Sequence, residues 1–438
     1  MQIENKLKKI WRSLGPGLIT GASDDDPSAI ITYSAAGAKM GPHALWAMFY
    51  VLPLMIAIQE MSARIGLSSS CGLAGNIKRH YPKAILFFMS FLIISANVFN
   101  IGANIFGMAS ATEILLPGST IFFAWATVAV IIGLTIFLPY KKIVVVFKWL
   151  SVFLLSYVLA GFLAIDNWPE LIKKMFLPSL SVNRDNIMLV LALLGTTISP
   201  YMAFWQASEE AEERRLGEGI SKKYFVCRYH IVDAEQISRI FRDTRIGMFF
   251  SNFIGFFIIA LAGSVLFNAG IKDVETIADV AKSLQPLAGD YTYILFAIGV
   301  IGSGLLAIPI LAGSSAYVLS EIFDWKGSLN KTFSKAKAFY MVMIVSVALG
   351  LMIPYLGISP VQALLWTSIF HALITPFLIG MLIHMSNNPA IVGPNVSKKH
   401  NNFLGYTAIF AITATIIAFI GMETRMGQYP AMISNWLF

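Results

Sequence analysis

Apolar stretches of about 20 residues, each long enough to cross a bilayer as a helix, recur from one end of the chain to the other between short polar segments. The pattern predicts eleven spans, near 14–37, 43–66, 84–112, 119–138, 142–165, 188–208, 246–269, 291–323, 337–355, 358–385 and 403–423. Two of them are interrupted. The first carries Asp24-Asp25-Asp26-Pro27-Ser28-Ala29 halfway along an otherwise apolar segment, and the sixth carries Ser199-Pro200 after Gly195, Thr196 and Thr197. A charge at membrane depth costs roughly 3 to more than 10 kcal/mol unless it faces protein or water, so a bound cation is the simplest reason for the aspartates to persist.

The interruptions stand in corresponding places. Spans 1–5 (about 14–165) and 6–10 (about 188–385) each open with a broken helix, and span 11 (about 403–423) falls outside the repeat. Because five is odd, the second unit enters the membrane from the opposite side, and paired interruptions of an inverted repeat point to a transporter's midplane site. Proline removes an amide donor and frees the carbonyls before it. Exposed backbone at this depth is tolerated where it lines a cavity or meets a ligand. Carbonyls and carboxylates together form a hard oxygen set of the kind that magnesium, calcium and manganese prefer.

Composition agrees with the pattern and excludes several classes. With 57% hydrophobic and 13% charged residues, against about 25% charged in soluble domains, the chain reads as one all-α integral membrane domain. If the N-terminus is inside, 25 Lys and Arg lie on inner segments and 7 on outer ones. The positive-inside rule then predicts a cytoplasmic N-terminus and an extracellular C-terminus in the cell membrane. It also accounts for the net charge of +8 without a nucleic-acid partner.

The basic first twelve residues precede no apolar h-region or A-x-A site, so no removable signal is expected. Cys71 and Cys227 are expected to be free thiols, being far apart in sequence and without metal-ligand spacing. The inner segment holding Glu209, Glu210, Glu212, Glu213, Arg214 and Arg215 reads as a solvated helical extension with i,i+4 charge pairs. No Walker motif, HExxH or nucleophile constellation supports an enzyme, and no cofactor is implied beyond the transported ion.

These residues resemble the Nramp divalent-metal transporters, which have a LeuT-type fold of two inverted five-helix repeats. That family carries Asp-Pro-Gly-Asn in helix 1 and Met-Pro-His in helix 6, where this chain has Asp26-Pro27-Ser28-Ala29 and Ser199-Pro200-Tyr201. The resemblance covers spans 1–10 and includes Glu212-Glu213-Arg214-Arg215-Leu216, Arg242-Asp243-Thr244 and Ser251-Asn252. By position it implies Asp26 as the metal-binding aspartate, with Ala29 in place of an asparagine ligand and Ser199 in place of a methionine. It implies Thr196 as a backbone-carbonyl ligand and Ser368 near a glutamine of helix 10. Asp25, with Asp24, is expected to attract the cation or meet its outer shell, and Tyr201 follows the second proline at the site. The soft thioether is missing and the site is wider. A partly hydrated Mg²⁺ fits such a site, so the chain is similar to the Nramp-related magnesium transporter branch.

The family's proton-carrying residues are also replaced. Helix 3 offers Asn97, Asn100 and Asn104, and helix 6 offers Tyr201 and Gln206, none of which titrates near neutral pH. The asparagines read either as interhelical hydrogen-bond glue or, with Gln206, as a polar lining of the ion path. His371 reads as a buried hydrogen-bonding residue rather than a ligand. The resulting expectation is a monomeric, uncoupled Mg²⁺ and Mn²⁺ importer working by alternating access, with a proton-coupled Mn²⁺/Fe²⁺ symporter as the alternative. A sodium-coupled amino-acid carrier on the same fold is disfavoured, because three aspartates would repel a substrate carboxylate.

Overall fold

A computed structural model describes residues 16–137, 154–179, 181–217, 227, 229 and 231–425, and the described residues form helices and no strand. The first span is two helices, α1 (Pro16–Asp24) and α2 (Pro27–Met40), followed by α3 (Leu45–Ser69), α4 (Leu73–His80), α5 (Lys83–Leu115) and α6 (Thr120–Phe137). Then come α7 (Leu155–Ala164), α8 (Trp168–Phe176), α9 (Arg184–Thr197), α10 (Pro200–Gly217), α11 (Ala234–Val265), α12 (Thr292–Ile322), α13 (Lys337–Gly350), α14 (Pro360–Ser386) and α15 (Lys399–Arg425). Among the described residues nine helical runs are long and apolar enough to cross a membrane. The run Pro27–Ser69 joins the second half of span 1 to span 2. Span 5 lies largely outside the described residues, with α7 as its described helix.

Burial places the broken helices at the centre. The most apolar window of the run Arg184–Leu216 is 94% buried, whereas that of the last run, Lys399–Met422, is 17% buried and lies at the periphery. Contacts between the two halves are reciprocal: α1 and α2 pack on α11, α10 packs on α3, and α5 packs on α12. Each broken helix therefore rests on the second helix of the other half.

The seam between α1 and α11 depends on glycine. A Cβ on Gly21 would lie 2.2 Å from the Gly247 carbonyl oxygen, and one on Gly247 would lie 2.1 Å from that of Gly17. The Gly17 amide also donates to Asp243 Oδ2 at 2.7 Å. Gly21→Leu is therefore expected to hold α1 away from α11 and lower uptake at least tenfold, because a clash with backbone cannot be relieved by a rotamer change. Uptake equal to the parent protein would show that this contact is dispensable.

Two expectations fail at the ends of these helices. Cys71 and Cys227 are not free thiols but form a disulfide, with Cα atoms 5.2 Å apart across a sequence separation of 156. Cys71 follows α3 and Cys227 follows α10, and packing of α3 on α10 brings their ends together. Arg79 fixes the second of these by donating from Nη1 to the Cys227 carbonyl at 2.9 Å.

The acidic end of α10 is not solvated either, since Glu209, Glu210 and Glu212 are all buried. Tyr317 on α12 faces Glu209 Oε1 at 2.8 Å and Glu212 Oε2 at 2.6 Å, and Asn330 donates to Glu212 Oε1 at 2.7 Å. The segment after α12 thus covers side chains that the local sequence presents as a charged helix surface. Other carboxylates near span ends have structural partners. Glu321 accepts from the amides of Gly72 and Gly75 at 2.8 and 2.7 Å, at the start of α4. Glu60 pairs with Arg245 at 2.6 Å.

Candidate functional site

The break in the first span is built by Asp26 and Pro27. Asp26 is extended (φ −73°, ψ 171°) and caps α2, its Oδ1 accepting from the Ala29 amide at 2.9 Å and from the Ser28 hydroxyl at 2.6 Å. Pro27 follows at the first helical position, where a missing amide hydrogen costs nothing. The other oxygen, Oδ2, accepts from Asn104 Nδ2 on α5 at 2.9 Å. Asp24, Asp25 and Asp26 are all at most 2% exposed, so the carboxylates are closed off from solvent on both sides. A rearrangement must precede any passage of an ion.

The second break is held by Ser199. Its hydroxyl lies 2.7 Å from the Thr196 carbonyl oxygen and 3.1 Å from that of Gly195, and 3.3 Å from His371 Nδ1 on α14. Thr375 donates to the Ile198 carbonyl at 3.0 Å. Side-chain hydroxyls thus replace the amide donors that the break removes. Gly195 is required for the approach of α14, because a Cβ there would sit 1.9 Å from the Ser368 carbonyl oxygen.

The two breaks meet through Tyr201, whose hydroxyl donates to the Ser23 carbonyl at 2.9 Å. The carbonyl ends of α1 and α9, the negative ends of their helix dipoles, therefore converge with Asp26 and Ser199. That is an environment for a cation.

The expected site residues divide into three groups. Asp26, Ala29, Thr196, Ser199 and Tyr201 lie at the breaks, Ala29 contributing its amide to Asp26 and Thr196 its carbonyl to Ser199. Asp25 lies at the first break but turns toward α11, where its Oδ1 is 3.3 Å from the Ser251 hydroxyl. Ser368 on α14 lies away from the cap, its hydroxyl 2.9 Å from that of Thr32 on α2.

The asparagines of α5 separate by role. Asn97 binds α12, donating to Ser315 at 3.0 Å and to the Leu311 carbonyl at 3.3 Å, and is interhelical glue. Asn104 holds Asp26, and Asn100, one turn before it, neighbours Asp26 as well. Gln206 lies further along α10, donating to Glu210 Oε1 at 3.0 Å.

Sequence reasoning missed two contacts. His371 touches Ser199, and its Nε2 is buried without a partner; its depth in a span was legible, its neighbour was not. Ser251 bridges Asp24 and Asp25, and the only signal for it was the Ser251-Asn252 motif.

Among the described residues no three His, Cys, Asp or Glu side chains group closely enough to hold a metal by themselves.

Known proteins share this architecture. The chain is 23% identical over 436 residues to the "Divalent metal cation transporter MntH" of Clostridium acetobutylicum, covering 96% of this chain and 92% of that one. It is 22% identical over 388 residues to the protein of the same description in Caldanaerobacter subterraneus subsp. tengcongensis, covering 87% of this chain and 86% of the other. A solved Eremococcus coleocola manganese transporter superposes with a TM-score of 0.70 at 16% identity, over 97% of this chain and 89% of its own. A sodium-coupled sialic acid symporter superposes with a TM-score of 0.56 at 11% identity, over 93% and 89%. The fold is thus the LeuT type that the family resemblance implied. The profile described as "Natural resistance-associated macrophage protein-like" matches residues 17–421, and this chain belongs to the Nramp family.

Proposed function

We propose that this protein is a secondary transporter importing divalent metal cations, Mg²⁺ foremost and Mn²⁺ with it, by alternating access and without proton coupling. The ion binds partly hydrated between the two broken helices, with Asp26 as its charged ligand. Membership in a family of transporters leaves no enzymatic role to assign. The observation that carries the reading is the donor set at the breaks: a carboxylate, backbone carbonyls and hydroxyls, with serine and alanine where the family pattern has methionine and asparagine. Hard oxygen donors without a thioether suit Mg²⁺.

Asn104 supports the second half of the reading. It donates to Asp26 from the helix where typical members carry acidic residues, and an amide cannot relay a proton at neutral pH. The membrane potential is sufficient to drive uptake. At about 2.3 kcal/mol per charge per 100 mV, a divalent ion gains about 4.6 kcal/mol, a roughly thousand-fold accumulation. We place the transporter as a monomer in the cell membrane with a cytoplasmic N-terminus and an extracellular C-terminus.

A second reading, a proton-coupled Mn²⁺ symporter, is favoured by the names of the relatives, which are MntH proteins and a manganese transporter. Competition separates the two. Millimolar Mg²⁺ is expected to suppress Mn²⁺ uptake into proteoliposomes, whereas Mn²⁺ uptake indifferent to Mg²⁺ would favour the symporter.

A further inference from the structure

We propose that Asp24 and Asp25 hold a second divalent cation, at a position separate from the one at Asp26, between α1, α2 and α11. The inference rests on the reading that this chain handles hard divalent ions, and it starts from the hydrogen bonds of the three aspartates. Asp26 is well supplied, with three donors shared between its two oxygens. Asp24 and Asp25 share one hydroxyl: Ser251 Oγ lies 2.7 Å from Asp24 Oδ2 and 3.3 Å from Asp25 Oδ1. A hydroxyl carries a single hydrogen, so it cannot satisfy both. Asp24 Oδ1 and Asp25 Oδ2 have no partner, and both residues are at most 2% exposed. Adjacent carboxylates sealed from water with a single donor between them are strongly unfavourable.

An independent observation points to the same place. Tyr33 on α2 is fully buried, its hydroxyl has no partner, and all three aspartates of the break lie within its electrostatic reach. Its ring packs at Gly255 on α11, one turn beyond Ser251. Two carboxylates and the Ser251 hydroxyl form an all-oxygen set, with the unpartnered Tyr33 hydroxyl on the neighbouring face of α2. Mg²⁺ is usually held by one or two carboxylates with retained waters, and Mn²⁺ accepts the same donors. The position differs from that at Asp26 because the carboxylates diverge. Asp26 turns to the first turn of α2 and to α5, whereas Asp24 and Asp25 turn to α11.

The test is a count of bound metal. The purified full chain in detergent is dialysed against saturating Mn²⁺, and the retained metal is measured by mass spectrometry. The wild type is expected to hold two ions per chain, the Asp24→Asn/Asp25→Asn variant one, and Asp26→Asn one. Fewer than two in the wild type, or two retained by Asp24→Asn/Asp25→Asn, overturns the proposal.

If the double variant misfolds, Ser251→Ala and Tyr33→Phe decide. Each is expected to weaken one of two resolved binding steps about tenfold, the scale of a single hydrogen bond to a charged group. Unchanged affinities in both would also overturn it. The count needs no flux, so an Mn²⁺-selective or proton-coupled transporter would refute the magnesium reading and leave this one standing.

Discussion

Asp26→Ala is expected to reduce Mg²⁺ uptake to that of protein-free liposomes while the purified protein still elutes as a folded monomer. The substitution removes the carboxylate that caps α2 at the first break and meets Asn104 on α5. Its structural cost is limited: losing a helix cap costs about 1 kcal/mol, and the orphaned Asn104 amide adds about 1 to 3 kcal/mol. Pro27 still sets the start of α2. Transport should therefore disappear without unfolding. Uptake at the parent rate would place the ion elsewhere.

Restoring the family pattern should change the ion carried. Ala29→Asn combined with Ser199→Met is expected to lower Mg²⁺ uptake at least tenfold and leave Mn²⁺ uptake measurable. A thioether is a soft ligand that Mn²⁺ tolerates and Mg²⁺ does not. The larger side chains also take up space that retained waters would need. Ser199 has a second role, its hydroxyl meeting the Thr196 carbonyl and His371, so Ser199→Ala is the control for loss of that network alone. Equal loss of both ions in the double variant, with Ser199→Ala behaving alike, would assign Ser199 to structure rather than selectivity.

Much of this site was legible in the chain. Proline beside aspartate at membrane depth marks a broken helix, and an odd number of spans per repeat places the second break opposite the first. The carboxylates of Asp24 and Asp25 were not legible, because their direction depends on how closely α11 approaches. That distance is set by Gly17, Gly21 and Gly247, far apart in sequence. The pairing of Cys71 with Cys227 was hidden for the same reason, since it follows from α3 packing on α10. Local charge misled at Glu209, Glu210 and Glu212, where Tyr317, Ser328 and Asn330 arrive from the segment more than 100 residues away and bury an apparently solvated surface. Spacing alone could not divide Asn97 from Asn104; the partner helix decided it.

Transport of Mg²⁺ and the absence of a coupled proton are both read in one recording. Proteoliposomes held at a negative-inside potential are loaded with a magnesium indicator and a pH dye, and external Mg²⁺ is added. Mg²⁺ is expected to enter in proportion to the imposed potential while internal pH stays flat. Absence of Mg²⁺ entry, with Mn²⁺ entering and the lumen acidifying in step, would contradict that expectation.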